Sequence, residues 1–328
     1  MTAQSGVGRR KFLVRMIRST LMATGVGALG LAFWDRNGPV GRPPAGRNLV
    51  LPDYSVTPPA APLAVAHGAD RSRTVDLAVK ALGGMTAFIK PGERVLLKVN
   101  AAFATPPILG ATTHPDLVAA VVRLCYNAGA GHVLVSDNPI NDPASCFALS
   151  GIGPAALGAG AEVVLPVPRR FHPYSLPQGE LLRDWPVLGD PLTRVDKVIG
   201  LAPVKDHHRS GASMTIKNWY GLLGGRRNIF HQKIHRIIAE LAMMIKPTLV
   251  ILDGTQTMMR NGPTGGAQED LKATLTLIAG TDPVAVDALG ATLLGKKAGD
   301  LPHLQMAQAS GAGTVDYSSL NPVELNAP

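Results

Sequence analysis

Hydrophobic and polar positions alternate in a regular way along most of this chain. From residue 63 onward, short apolar runs are followed by longer stretches in which apolar residues recur every three or four positions. The short runs indicate buried strands, and the longer stretches indicate helices with one apolar face. Strands that alternate with helices are typical of a mostly parallel sheet covered by helices on both faces. We therefore predict an α/β fold of the Rossmann-like, doubly wound kind.

Turn and cap residues give approximate bounds for these elements. The predicted strands are Leu63–Ala66, Arg94–Val99, His132–Ser136, Ala161–Leu165, Lys197–Leu201, Thr248–Leu252 and Ala273–Ala279. The predicted helices are Thr74–Leu82, Pro115–Asn127, His231–Ile245 and Asp282–Leu294. In the last helix, Asp282 is the expected N-cap and Pro283 the first residue. Residues 166–192 are polar and rich in proline and glycine, which predicts a loose insert or a lid.

The first 34 residues differ from the rest of the chain. Five basic residues precede an uncharged run from Ser19 to Trp34, which is typical of a targeting segment. The heptapeptide Gly8-Arg9-Arg10-Lys11-Phe12-Leu13-Val14 is similar to a twin-arginine export signal. We therefore expect the twin-arginine export machinery to be a partner and the periplasm or cell envelope to be the destination. The alternative is a basic amphipathic leader on a cytoplasmic protein.

Whether this leader is cleaved or remains as a membrane anchor is left open. The uncharged run has 16 residues, whereas a spanning helix needs about 20. No clear small-residue cleavage motif follows it. Residues 35–62 are rich in proline, glycine and arginine and predict a linker. Residues 63–328 are then expected to form a single α/β domain.

The net charge of +9 does not indicate a nucleic-acid-binding protein. Five of these charges lie in the leader, and the rest of the chain has 27 basic and 23 acidic residues. This nearly even balance, together with export, argues against nucleic acid as a partner. Cys125 and Cys146 are too few for an iron–sulfur cluster, which needs about four thiolates. They form either one disulfide or two buried free thiols, and we favour free thiols.

Polar residues follow several predicted strands at the point where each strand ends. Asn100, Asp137, Asp253 and Asp282 occupy such positions. If the strands are parallel, these side chains converge at the edge of the sheet where ligands bind in doubly wound folds. Each aspartate is also a common cap or turn residue. Asp287 lies within an apolar helix, where an unpaired carboxylate is costly.

The stretch from Asp196 to His235 concentrates candidate chemistry, because it holds four of the nine histidines and many basic residues. The candidate catalytic residues are Lys205, His207 and Lys217, with His207 expected to transfer a proton and the lysines to act as a base or to form a Schiff base. The candidates for binding a small anion are Lys98, Asn100, Asn218 and Arg226. The candidates for metal ligands are His231, His235, Asp253 and Asp287.

Two local patterns support these assignments. Gly224-Gly225-Arg226-Arg227 precedes a predicted helix and is a candidate cradle for a phosphate or carboxylate, although it lacks the spacing of a phosphate loop. His231 and His235 are four residues apart and share one face if both lie on a helix. Two histidines alone are not a metal site, and the alternative is that they bond carbonyl and carboxylate groups in a packed centre.

Taken together, the motifs resemble those of a bacterial and archaeal family, domain of unknown function 362 (DUF362). The resemblance covers roughly residues 63–294. It is carried by Leu97-Lys98-Val99-Asn100, Thr113-His114-Pro115, Val135-Ser136-Asp137-Asn138-Pro139, Lys205-Asp206-His207, Lys217-Asn218 with Gly221, His231 with His235, Asp253-Gly254, Gly262-Pro263 with Gly265, and Asp282-Pro283-Val284-Ala285-Val286-Asp287.

The resemblance implies no particular reaction, since the activity of the family is not established. Some of its members carry a ferredoxin-like part with cysteine motifs, which Cys125 and Cys146 do not match, so no iron–sulfur cluster is expected. The order of histidines, lysines and glycines is also loosely similar to that of nickel-dependent lactate racemases, without correspondence between single residues.

Two functions follow as hypotheses. The first is an exported enzyme that acts on a small carboxylate or phosphate in a pocket of lysine, histidine and aspartate, with or without a divalent metal. The second is a non-catalytic accessory protein of an exported redox system that binds an anion or a metal. The cofactor is unknown in both.

Overall fold

The protein is described here by a computed structural model that covers residues 6–32, 34, 48–57 and 60–327. Parts of the predicted leader and linker, at 1–5, 33, 35–47 and 58–59, lie outside the described residues. The strands are β1 (Leu63–His67), β2 (Arg94–Lys98), β3 (His132–Ser136), β4 (Glu162–Val164), β5 (Phe171–Tyr174), β6 (Trp185–Leu188), β7 (Lys197–His207), β8 (Gly211–Ser213), β9 (Leu249–Met258), β10 (Leu271–Gly280) and β11 (Val323–Asn326). The α-helices are α1 (Gly6–Ala32), α2 (Arg71–Ala81), α3 (Pro115–Asn127), α4 (Pro143–Leu149), α5 (Ile152–Gly158), α6 (Asp190–Thr193), α7 (Thr215–Asn218), α8 (Ile234–Met244), α9 (Pro283–Leu293) and α10 (Pro302–Ala309).

The strands form one large mixed sheet, which confirms the predicted α/β fold. Its order is β11-β1-β10-β9-β7-β2-β3-β4, and β8 pairs with the outer part of β7. The centre, from β9 through β7, β2 and β3 to β4, is parallel throughout. Only β10 and β8 run against the common direction in this sheet. The sheet is therefore mostly parallel, and the carboxyl ends of its central strands lie at one edge.

Helices cover both faces of the sheet because alternate strand residues point to opposite sides. Leu96 and Leu134 pack in one buried cluster with residues of α8, α9 and α10. Val95 and Val133, their neighbours along the same strands, pack in a second cluster with residues of α2, α3 and α5. The nearly continuous apolar runs of β2 and β3 are thus buried on both sides, as expected of a doubly wound sheet.

One predicted strand end lies at the wrong edge of the sheet. β10 is antiparallel to β9, so Gly280 pairs with Val250 near the amino end of β9. Asp282 therefore sits at the opposite edge from Asn100 and does not join the site. It does cap α9 as predicted, and its Oδ1 accepts hydrogen bonds from the backbone N–H groups of Val284 and Ala285 at 2.9 and 3.0 Å.

The insert at 166–192 is a small antiparallel pair, β5 and β6, followed by α6. It is less loose than its composition suggested. Trp185 is 3% exposed, and its ring lies 4.4 Å from the ring of Phe230, centroid to centroid. Part of the predicted linker also packs on the domain, because the buried Tyr54 donates a hydrogen bond to the carbonyl of Leu192 at 2.9 Å.

The apolar N-terminal run belongs to a helix longer than the run itself. α1 has 27 residues, and its segment Gly8–Ala32 has the length and composition of a membrane span, with none of it buried against the domain. An exposed apolar helix at the N-terminus is compatible with a signal sequence or a membrane anchor.

Cys125 and Cys146 are both free and buried, as favoured from the sequence.

Candidate functional site

A polar cavity of about 90 Å³ lies at the carboxyl edge of the central strands. It is enclosed by the residues that follow β2 and β3, by the outer half of β7, by α7 and by the two short 3₁₀ segments Trp219–Leu222 and Arg227–Lys233. Its polar lining is Asn100, Asp137, Asn138, Lys205, His207, Ser213, Lys217, Asn218, Tyr220, Arg227 and His231. Three of these, Lys205, His207 and Lys217, are the residues predicted for catalysis.

Lys98 and Asp137 form a buried ion pair beneath this cavity. The lysine Nζ lies 2.8 Å from Asp137 Oδ1, and the two side chains are 0% and 3% exposed. Nζ also donates to the carbonyls of Val99 and Asn218 at 2.6 and 2.9 Å and to the side-chain oxygen of Asn218 at 3.2 Å. Burial lowers the pKa of Lys98, and the charge of Asp137 opposes that shift. Because its ammonium is surrounded by oxygen atoms, Lys98 supports the site from below and is not free to bind a ligand.

Gly221 is needed for this ion pair to fit. A Cβ atom at Gly221 would lie 1.9 Å from Asp137 Oδ1 and 2.8 Å from Lys98 Nζ. The carbonyl of Gly221 also accepts a hydrogen bond from the N–H of Asn138 at 2.9 Å. The backbone after α7 therefore packs directly on the carboxylate, and only a residue without a side chain permits this approach.

Lys205 is a buried amine with few partners. Its side chain is 1% exposed and donates one hydrogen bond, to the carbonyl of Ala111 at 2.5 Å. Burial and the neighbouring charge of Lys217 lower its pKa to about 7, while Asp137 acts weakly in the opposite direction. Near neutral pH a substantial fraction of Lys205 is therefore an uncharged amine, able to accept a proton or to attack a carbonyl group.

Lys217 lines the same cavity, and its ammonium has no partner among the described residues. Its Nζ makes neither a hydrogen bond nor an ion pair with any residue in the described part of the chain, and it lies 5.5 Å from the ring centroid of Tyr220. Burial, followed by repulsion from Arg227, lowers its pKa to about 8. At pH 7 most of it is still protonated, and its donors face the cavity without an acceptor.

Of the two adjacent arginines, Arg227 lies at the cavity and Arg226 does not. The Arg227 guanidinium donates to four backbone carbonyls, including those of Tyr220 and Leu223, and is thereby held in place. Arg226, which the sequence suggested as an anion ligand, instead stacks on Trp34 at 3.6 Å from the ring centroid. The predicted glycine cradle is also occupied, since Gly224 uses its N–H and its carbonyl to bind the insert.

The hydrogen bonds of His207 assign its tautomer. Its Nδ1 accepts hydrogen bonds from the backbone N–H groups of Arg209 and Ser210 at 3.1 and 3.3 Å. Burial, with help from the charge of Lys217, lowers its pKa to about 2, so the ring is neutral. A neutral ring whose Nδ1 is an acceptor carries its proton on Nε2. His207 therefore offers a hydrogen-bond donor at Nε2.

His231 carries its proton on the other nitrogen. Its Nδ1 lies 3.2 Å from the carbonyl of Asn228 and 3.3 Å from the hydroxyl of Tyr220, whose own proton is donated to the carbonyl of Arg227. Both neighbours need a donor at Nδ1, so Nε2 holds the lone pair. Burial lowers the pKa of His231 and keeps it neutral. The rings of His207 and His231 are nearly parallel, with centroids 6.2 Å apart.

The two asparagines predicted to bind substrate have different roles. Asn218 donates from Nδ2 to the carbonyls of Lys98 and Leu201 at 3.2 and 3.1 Å, so its amide is used by the protein. Asn100 lines the cavity, and its Oδ1 has only a long contact of 3.5 Å with the N–H of Ala102. Its Nδ2 makes no hydrogen bond with the described residues. Asn100 is available to a ligand, whereas Asn218 is structural.

The four residues predicted as metal ligands do not come together. The helix predicted to start at His231 is a 3₁₀ segment until Lys233, and α8 begins only at Ile234. His231 and His235 therefore do not share one α-helical face. His235 instead pairs with the buried His303, Nδ1 to Nδ1 at 3.3 Å.

The two predicted carboxylate ligands are bound elsewhere. Asp253 forms an ion pair with Arg71 at 2.7 Å, outside the cavity. Asp287 accepts hydrogen bonds from the N–H groups of Thr215 and Ile216 at 2.8 and 3.0 Å. Its carboxylate therefore satisfies the first two N–H groups of α7. Within the described ranges, no three histidine, cysteine, aspartate or glutamate residues are grouped so as to hold a metal ion. The predicted ligand set is wrong, and Asp287 positions the helix that carries Lys217.

Comparison with known proteins gives three findings. The family described as Domain of unknown function (DUF362) matches residues 95–292. The thylakoid-associated protein sll1697 of Synechocystis sp. (strain ATCC 27184 / PCC 6803 / Kazusa) is 29% identical over 258 residues, which cover 74% of this chain and 77% of that protein. The lactate racemase apoprotein from Thermoanaerobacterium thermosaccharolyticum aligns with a TM-score of 0.34 and 15% identity. That alignment covers 62% of this chain and 52% of the racemase.

Proposed function

This chain belongs to the DUF362 family, and from the cavity described above we propose that it is an enzyme that binds a small carboxylate or phosphate and transfers a proton to or from it. The observation that carries the proposal is the unpaired ammonium of Lys217, which lines the cavity without any acceptor among the described residues. Lys217 is half-buried, so its charge is partly withdrawn from water without a partner, and an anionic ligand offsets that cost.

The charge of the cavity favours an anion. Lys98 and Asp137 neutralise each other at 2.8 Å, which leaves the positive groups Lys205, Lys217 and Arg227 without a carboxylate partner at the site. Burial is the main cause of the lowered pKa values of Lys205 and Lys217, and repulsion from the neighbouring cation adds to each shift. The same excess of positive charge opposes binding of a divalent cation beside His207 and His231. The residues present therefore do not fit a metal site.

The two histidines supply an acid and a base. His207 offers N–H at Nε2 and His231 offers a lone pair at Nε2, and both rings line the same cavity. In this arrangement His231, or the neutral amine of Lys205, accepts a proton from the bound substrate. His207 donates a hydrogen bond to a substrate oxygen on which negative charge develops. A donor and an acceptor in one small site are what proton transfer requires.

The cavity is small, with a volume of about 90 Å³, and therefore favours a ligand of few heavy atoms. Phosphate, or a two- to three-carbon acid, is of that order, whereas a dinucleotide is not. Phe103 and Ile140 add an apolar side to the cavity, against which a short carbon chain can lie.

We further propose that the protein reaches the periplasm or cell envelope through the twin-arginine pathway. Arg9 and Arg10 open the exposed apolar helix α1, as expected of such a signal. This assignment agrees with a relative whose name states that it is associated with the thylakoid. Retention of α1 would hold the domain at a membrane.

Sulfate binding tests the anion site most directly, because sulfate keeps its charge across the pH range of interest. Calorimetric titration of the purified protein at pH 7 should show one bound sulfate. The Lys217→Gln variant should bind it at least tenfold more weakly, since a charge-assisted hydrogen bond contributes about 1.5–3 kcal/mol. Lys233→Gln is the matched control, because Lys233 pairs with Glu180 on the surface and lies outside the cavity.

The pH dependence of the same titration has a predicted sign. The pKa of Lys205 is about 7 and that of Lys217 about 8, so Lys205 is already partly deprotonated at pH 7, and Lys217 loses most of its protons between pH 7 and pH 9. Sulfate affinity should therefore fall over this interval in the native protein and much less in Lys217→Gln. Equal affinity of the native protein and Lys217→Gln at pH 7 would refute the proposed anion site.

Proton transfer needs a separate measurement. Pyruvate and malonate are incubated with the protein in D₂O, and loss of the carbon-bound proton signals is followed by NMR. We expect exchange with the native protein and loss of exchange in whichever of His231→Gln and Lys205→Met removes the base. Binding of these acids with no exchange would favour the second function, a non-catalytic anion-binding protein, over an enzyme.

A further inference from the structure

A second cavity, of about 260 Å³, lies beside the cationic one at the carboxyl edge of β7 and β9. It is lined by Arg71, which is the first residue of α2, by residues of the segment 107–114, and by Pro203, Asp253, Gln256, Gln268 and Leu271. Among the described residues, the two cavities share no lining side chain. The volume lies just below the roughly 300–1,000 Å³ typical of sites for drug-sized ligands. It is a separate place for a small organic molecule.

Arg71 presents unused donors to this cavity. Its Nε donates to Asp253 Oδ2 at 2.7 Å, and the two side chains are 13% and 4% exposed. Neither of its Nη groups makes a hydrogen bond with the described residues. The ion pair therefore fixes the plane of the guanidinium and leaves its outer edge available for a planar oxygen pair.

A buried hydroxyl group beside it also lacks a partner. Thr112 is 3% exposed and lines the cavity, and its Oγ1 has no hydrogen-bond partner among the residues described. An unsatisfied buried hydroxyl costs about 1–3 kcal/mol. This cost is removed when a ligand oxygen accepts the hydroxyl proton.

His114 adds a third donor. Its Nδ1 accepts a hydrogen bond from the N–H of Asp116 at 3.3 Å, so the neutral ring carries its proton on Nε2. Burial, followed by the charge of Arg71, lowers its pKa and favours that neutral form. The acceptor Asp253 is already used by Arg71 and by the N–H of Thr255 at 2.8 Å. The free polar groups of Arg71, Thr112 and His114 are thus all donors.

The remaining wall is apolar apart from the exposed amides of Gln256 and Gln268. Pro107, Ile108, Pro203 and Leu271 line the cavity, and Ile108 is 58% exposed. A cluster of donors beside an apolar rim selects a molecule that has an oxygen-rich anionic end and a carbon body. We propose that this cavity binds a carboxylic acid with an apolar body, with its carboxylate on Arg71 and Thr112 and its body against Ile108 and Leu271.

The segment Ala111–Thr113 is the wall between the two cavities. The carbonyl of Ala111 accepts the hydrogen bond of Lys205, whereas the next residue, Thr112, faces the second cavity. Thr113 Oγ1 donates to the carbonyl of Leu201 at 2.9 Å and accepts from the N–H of Asn100 at 2.8 Å. The carboxylate site does not depend on the proposed function of the first cavity, although it lies within one residue of a contact to Lys205.

Benzoate and benzyl alcohol are suitable probes, because they have similar bodies and differ in the carboxylate. Binding to the purified protein is measured by ligand-observed NMR. We expect benzoate to bind at least tenfold more tightly than benzyl alcohol. Thr112→Val, which keeps the shape and removes the hydroxyl, should weaken benzoate roughly tenfold, and Arg71→Gln should weaken it further. Arg73→Gln, on the exposed face of the same helix, is the control.

Three results would overturn the carboxylate site. The first is benzoate binding that persists unchanged in both Thr112→Val and Arg71→Gln, and the second is equal binding of benzyl alcohol. The third is loss of benzoate binding in Lys217→Gln with retention in Thr112→Val, because this would place the probe in the cationic cavity. Sulfate binding to each variant reports on the first cavity, so failure of one site is distinguishable from failure of the other.

Discussion

Replacing Lys98 by methionine should destabilise the protein more than replacing its partner. In Lys98→Met, Asp137 stays buried with one remaining donor, the N–H of Ala101 at 2.7 Å. The variant also leaves three oxygen atoms of Val99 and Asn218 without the ammonium that they share. Breaking a buried ion pair from one side costs about 3–5 kcal/mol. That is a large part of a typical stability of about 5–15 kcal/mol.

Replacing the partner instead, in Asp137→Asn, should lower the free energy of unfolding by less, about 1–3 kcal/mol. Lys98 then keeps its three oxygen acceptors, at 2.6, 2.9 and 3.2 Å. Burial already lowers the pKa of Lys98, so the lysine can shed its proton, and a neutral amine tolerates the new amide. The expected difference between the two variants is therefore about 2 kcal/mol in the free energy of unfolding.

Urea unfolding followed by circular dichroism measures this difference. Lys80→Met is the matched control, because Lys80 pairs with Asp76 at 2.6 Å on the helix surface. Such exposed pairs contribute about 0.3–0.5 kcal/mol. The prediction is wrong if Lys98→Met costs no more than the control, or if Asp137→Asn costs as much as Lys98→Met.

Three further predictions concern packing, pH and export. Gly221→Ala places a Cβ atom 1.9 Å from a buried carboxylate oxygen, so it should destabilise the protein by about 1–3 kcal/mol and abolish sulfate binding. Gly158→Ala is the control, because a Cβ atom there has no atom within 4 Å, and it should have neither effect. Burial lowers the pKa of His303 to about 3, so this group binds a proton more readily in the unfolded state than in the folded state. As the pH falls below 6.5, the native protein should therefore lose about 1.4 kcal/mol of unfolding free energy per pH unit from this group. His303→Gln should show a shallower loss between pH 6 and pH 4 in denaturant titrations, and an unchanged slope would contradict this. Joint replacement of Arg9 and Arg10 by lysine should leave the protein in the cytoplasm on cell fractionation, and normal export of that variant would exclude the twin-arginine route.

The asymmetry between Lys98 and Lys217 illustrates how one residue type serves two purposes in this site. Lys98 is surrounded by oxygen atoms and neutralised by Asp137, so it adds rigidity and no net charge. Lys217 has neither, so its charge is directed at whatever enters the cavity. The sequence alone does not distinguish these two roles.

The fold and several element bounds could be predicted from local patterns. α3 spans Pro115–Asn127 and β3 spans His132–Ser136, as predicted. Asp282 caps α9 as predicted, because caps depend on residues that are close in sequence. Lys205, His207 and Lys217 were predicted to act together because they fall in one short stretch rich in histidine and basic residues, and all three line one cavity. Helix and strand bounds and helix caps depend on residues that are close together in the sequence, so the sequence alone predicts them.

Features that depend on contacts between distant segments were decided only by the tertiary structure. Because β10 is antiparallel to β9, Asp282 lies at the opposite edge of the sheet from the site. Asp253 forms an ion pair with Arg71 and lines a different cavity. The choice of Arg227 over Arg226 depends on which carbonyl groups surround each guanidinium. A sequence specifies donors, acceptors and periodicity along the chain. Which donor meets which acceptor follows from strand direction and from packing at close range, and these are properties of the assembled sheet.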